Sequence, residues 1–74
     1  MNEEKNRNEE TARYFSRNNI KAHIIRNDNI FFNGLIKEVG SDFFIIDDDK
    51  DGHMVVFFRE LKHPIEEFQE VKDA

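Results

Sequence analysis

Seventy-four residues without a cysteine allow one small domain, and they exclude disulfides and thiolate zinc sites as its staple. A chain this short buries a limited core of its own, so association with further copies is the expected source of additional stability. The net charge of −5 is uneven: residues 1–26 hold six bases and four acids, residues 27–74 five bases and twelve acids, so a polyanion would meet the N-terminal part.

Residues 1–8 are polar and aperiodic and read as a flexible N-terminus. A helix is expected over about 9–18. Asn8 can cap it, Glu9 and Glu10 suit the positive end of its dipole, and Arg13 and Arg17 suit the negative end. Its apolar content is only Ala12, Tyr14 and Phe15, so it needs a surface to pack on. Asn18-Asn19 is a reasonable stop.

From Ile20 the period changes to two, with Ile20, Ala22 and Ile24 alternating with Lys21, His23 and Ile25. Asn27-Asp28-Asn29 is turn chemistry. A second strand runs from Ile30 to about Val39, with Gly34 marking a sharp bend or bulge. Gly40-Ser41 turns the chain into a third strand, Phe43–Ile46. Asp47–Gly52 is a polar loop and Met54–Phe58 a fourth strand. After Pro64, residues 65–71 fit either a short helix or a fifth strand.

The third and fourth strands are apolar on both faces. A half-exposed antiparallel sheet would carry polar residues on its wet side. Both faces therefore require cover, one from the inside of a bent sheet, the other from the helix or a second subunit. Phe44, Val55 and Phe57 are the candidate contacts between copies.

The stretch Ile24–Pro64 resembles the Sm/Lsm family, including its Hfq-like branch. Phe32-Asn33-Gly34-Leu35-Ile36 with Val39 resembles the first Sm motif, and Asp42–Asp48 the third strand and the acidic loop after it. His53-Met54-Val55-Val56 is similar to the start of the second motif. The resemblance implies an N-terminal α-helix followed by a small, strongly bent antiparallel barrel of four to five strands, spanning about residues 20–71 of a single domain at 9–74. It also implies assembly through the fourth and fifth strands of neighbouring copies. The sequence departs from the family's RNA-binding pattern: Phe43 or Phe44 stands where an asparagine is usual, Phe57-Phe58 and Arg59-Glu60 where the basic pairs of the second motif stand, and Asn29 where a turn glycine stands.

Catalytic and metal chemistry find little support. Asp47–Gly52 opens like a calcium loop, but Phe58 occupies the place of the closing glutamate, so an acidic hairpin loop is the reading adopted. His23, His53 and His63 lack ligand spacing. No enzymatic activity, metal or cofactor is expected. Arg13, Arg17 and Lys21 recur every four residues in the one acid-free stretch of the N-terminal part, beside Tyr14. On a helix they would share a face able to meet phosphates and stack a base. The expected function is a non-enzymatic oligomeric module contacting single-stranded RNA or DNA through Arg13, Tyr14, Arg17 and Lys21. The alternative is a protein-interaction module presenting its acidic loops and tail. No apolar run is long enough to span a bilayer, and the first residues lack a signal peptide's apolar stretch. A cytoplasmic protein without membrane contact is expected.

Overall fold

In the computed structural model, which describes residues 3–69, one helix precedes five antiparallel strands, so the chain is mainly β. This agrees with the helix-first, Sm-like arrangement expected from the sequence. The strands are β1 (Lys21–Ile25), β2 (Phe31–Val39), β3 (Phe43–Asp48), β4 (Gly52–Phe57) and β5 (Glu66–Glu67), hydrogen-bonded in the order β4-β3-β2-β1-β5.

The helix, α1, spans Glu3–Arg17. It begins well before residue 9, and residues 3–8, expected to be flexible, are helical. The segment holds no glycine, proline or β-branched residue between Glu3 and Glu10, and its four glutamates, Lys5 and Arg7 are good helix formers that outweigh the weaker Asn6 and Asn8. Asn8 accordingly lies inside α1 and does not cap it; its side-chain carbonyl accepts the Ile65 N–H at 3.4 Å. Met1, Asn2 and the end of the tail segment from Glu70 on lie outside the described residues. The helix stops as its sequence suggests. Asn19 adopts the left-handed conformation (φ 53°), the Ile20 N–H reaches the Phe15 carbonyl at 3.0 Å, and the Asn19 N–H points to that of Ser16. Asparagine tolerates that conformation better than most residues, and the pattern satisfies carbonyls that a helix end leaves open.

Burial alternates along β1 to β4, whereas both residues of β5 are exposed. Ala22, Ile24, Phe32, Ile36, Phe44, Ile46 and Val56 face inward, and Ala12 and Phe15 of α1 pack on them with Phe58 and Ile65. The helix thus covers the inner face and leaves the outer one open. Phe58, expected to end the fourth strand, starts a single 3-10 turn (Phe58–Glu60) and is buried. The Glu60 carboxylate accepts the Phe57 N–H at 3.0 Å and helps hold that turn. The tail forms a strand rather than a helix: Glu66 pairs with His23 and Glu67 with Ala22.

Gly34 is needed for close approach. A Cβ there would overlap the Asp47 carbonyl oxygen and lie 2.7 Å from its carbon. The irregularity in β2 is displaced from it, at Lys37, which the β2–β3 register skips between Ile36 and Glu38. An extra residue on one strand bends it and increases its twist. The expected loop at residues 47–52 is shorter, because β3 continues through Asp48 and β4 starts at Gly52.

Candidate functional site

Two grooves that mix charged and apolar side chains lie at opposite ends of β2. At its C-terminal end, Arg13, Ser16 and Arg17 of α1 face Lys37, Glu38 and Val39 across a groove of about 350 Å³. The bulge supplies the third base here. Lys37 belongs to the irregular step of the β2–β3 ladder, beside the helix that packs on β2. Sequence periodicity could not find this pairing, because twenty residues separate Lys37 from Arg17 and only the fold brings them together.

The basic character of the groove is moderated. Arg13 forms an i, i+4 ion pair with Glu9 at 2.9 Å, on an exposed helix face, and Glu38 lines the groove itself. Exposed pairs of this kind contribute little, so a phosphate can compete for Arg13 at small cost. Tyr14 is 52% exposed and lies one residue on from Arg13, its ring tilted against Phe15 at 6.4 Å. Its ring is therefore open to a stacking partner.

Lys21 does not join this group. The helix ends at Arg17 and the left-handed turn at Asn19 breaks the four-residue spacing, so Lys21 becomes the first residue of β1. Its ammonium group pairs with Asp49 at 2.5 Å and lies 4.4 Å from the Phe68 ring centroid. Of the four residues expected to meet nucleic acid, Arg13 and Arg17 line this groove with Lys37, Tyr14 is exposed on the helix but is not part of the lining, and Lys21 lies elsewhere.

The expected copy-to-copy contacts divide in the same way. Val55 is 51% exposed on β4, a strand that among the described residues is hydrogen-bonded on one side only, and Phe57 is half-buried on the same face. Phe44 is fully buried, because it sits on the inward phase of β3, and it cannot line a surface. Its neighbour Phe43 lies on the outer phase, tilted against Phe57 at 6.3 Å.

At the N-terminal end of β2, the second groove is lined by Asn29, Ile30, Phe31, Asn33 and the segment Asp48–Asp51. Asp48 is the one buried charged residue among those described. Burial pushes its carboxyl up, but the N–H groups of Asn33, Asp51 and Lys50 donate to it at 2.9–3.0 Å and together hold it below the ordinary value. One of its oxygens, Oδ2, orders the β3–β4 turn through Lys50 and Asp51, and the other, Oδ1, ties that turn to Asn33 of β2. No group of three or more histidine or acidic side chains suited to a metal ion is found among the described residues. At the β1–β2 turn, Arg26 pairs with Asp28, whose carboxyl is lowered by that hydrogen bond. No described helix is long and apolar enough to cross a membrane.

Compared with known proteins, the chain matches no family model, no curated protein and no solved structure.

Proposed function

We propose that the chain is a non-enzymatic, Sm-like module that works as an oligomer and takes single-stranded nucleic acid in the groove between α1 and β2. The convergence of Arg13, Arg17 and Lys37 on that groove carries the reading. Three bases from two elements can neutralise successive phosphates, and Tyr14 supplies an exposed ring on which an unpaired base can stack. Duplex bases are already stacked on one another, so a single strand suits this pairing of groups best.

Oligomerisation is supported by the edge of β4, which no described strand pairs with, and by the apolar side chains beside it. An unpaired edge flanked by exposed apolar residues is a template for pairing with another chain. Several copies would also repeat the basic groove, so that one strand could engage more than one at a time and gain avidity without new contacts. The acidic remainder of the molecule opposes a polyanion at long range, so binding is expected to be modest and salt-sensitive.

Binding of labelled single-stranded RNA and DNA, titrated from low to moderate salt, tests this. Wild-type protein should bind at low salt and weaken steeply as salt rises. Arg13→Gln, Arg17→Gln and Lys37→Gln should weaken binding to all sequences alike and lower the salt slope by about 0.7 for each phosphate that is no longer neutralised. Absence of binding at low salt, or binding indifferent to all three substitutions, would overturn the reading.

A further inference from the structure

Ile30 and Phe31 are adjacent large apolar residues that stay open to solvent, 47% and 50% exposed. They form one wall of the groove of about 410 Å³ at the start of β2, and the β3–β4 turn with Asp49, Lys50 and Asp51 forms the other. Phe31 lies six residues before Lys37, so the two grooves are roughly 20 Å apart along the strand. Asn33 bonds to the His23 ring, and that ring lies 5.9 Å from Phe31, which is thereby supported along one side.

The charges around the apolar pair are unequal. Three aspartates and one lysine line the groove. Asp48 is occupied by main-chain N–H groups and Asp49 by Lys21. Among the described residues, no side chain pairs with the carboxylate of Asp51. The ammonium group of Lys50 lies 5.7 Å from the Phe31 centroid, so the ring already presents itself to a cation.

We propose that this groove docks an extended segment of a partner protein bearing arginine or lysine. An aliphatic stem would lie against Ile30, the cationic head over the Phe31 ring in place of Lys50, and its charge against Asp51. Charge complementarity selects this occupant, because residues 27–74 carry twelve acids against five bases and repel a polyanion here. The apolar wall selects a guest with a long stem over a bare cation. The proposal is independent of the nucleic-acid reading, and either can fail alone.

The probe is a fluorescent hexa-arginine peptide, with its hexa-citrulline counterpart as the uncharged control, titrated by anisotropy against the full chain at about 0.15 M salt. The arginine peptide should bind at least about tenfold more tightly than the citrulline one, as expected where charge and ring contact act together. Phe31→Ala should weaken it about fivefold, and Asp51→Asn by a few-fold. Lys50→Ala should tighten it, since a competing cation is removed. Arg13→Gln should leave it unchanged. Equal binding by wild type, Phe31→Ala and Asp51→Asn would reduce the attraction to net charge and overturn the proposal. So would weaker peptide binding by Lys50→Ala, or a loss of single-stranded RNA binding in Phe31→Ala, which would make an anion the occupant. Asp51→Asn and Lys50→Ala alter only turn side chains, so the test survives if Phe31→Ala does not fold.

Discussion

The two faces of the β3–β4 hairpin carry nearly the same side chains and have different surroundings. Phe44, Ile46 and Val56 on the inner face are fully buried. Phe43, Ile45, Val55 and Phe57 on the outer face are half-buried or exposed. Hydropathy does not separate them. The inner set has α1, Ile65 and the 3-10 turn laid over it, and among the described residues no element is laid over the outer set. The contrast shows that an apolar strand face states a need for cover without saying who provides it.

The largest effect should separate the faces directly. Phe44→Ala should cost about 3–5 kcal/mol, as for a large side chain removed from a packed core. Phe43→Ala should cost only about 1 kcal/mol, chiefly the ring interaction with Phe57. Denaturant unfolding of the two variants measures the difference, and equal losses would mean that the outer face is a core as well.

Gly34→Ala comes next. Even one methyl meets the Asp47 main chain, which can move only if β2 and β3 separate. A loss of about 3 kcal/mol, or failure to fold, is expected, read from the thermal midpoint. An unchanged midpoint would show that the strands are not so closely apposed at this point.

Asp48→Ala should cost about 2 kcal/mol, because it leaves three main-chain donors, Lys50 and Asp51 of the turn and Asn33 of β2, without their acceptor. The pH dependence follows from the same hydrogen bonds. The folded Asp48 carboxyl lies below its ordinary 3.8, so the stability it confers is present above that value and is lost as the pH falls through and below it. Unfolding curves between pH 6 and about 2.5 should show a smaller acid loss in the variant than in wild type.

The smallest effect on folding and the clearest on assembly should come from Val55→Asp. The site is half-exposed at a sheet edge, so far-ultraviolet circular dichroism should stay unchanged. The mass by light scattering should fall from an oligomer toward a monomer. A wild-type protein that is already monomeric at micromolar concentration would leave the outer face uncovered and remove oligomerisation from the proposed function.

Local chemistry was legible wherever it sufficed. The helix stop at Asn18-Asn19 and the turn at Asn27-Asp28-Asn29 follow from residues that tolerate left-handed backbone, and Asn19 and Asn29 both adopt it. The period of two located four strands to within a few residues. The tail was not legible, because β5 has two residues, both glutamates, and exists only through its pairing with β1. The basic groove was half legible. Arg13 and Arg17 share a helix face by spacing alone, but the same period does not carry to Lys21, because the helix ends at Arg17 and Lys21 begins β1.

Read along the chain, the residues establish the class of the protein: one small cysteine-free domain, a helix followed by apolar strands, and a charge divided between a basic N-terminal part and an acidic remainder. These properties are local or additive, so no knowledge of distant neighbours is needed to see them. Folding in three dimensions selects which face of each strand is dry, brings Lys37 to the basic groove, and leaves Ile30 and Phe31 open beside Asp51. Each of these depends on strands far apart in sequence lying about 5 Å apart in space, and neither periodicity nor composition carries that information.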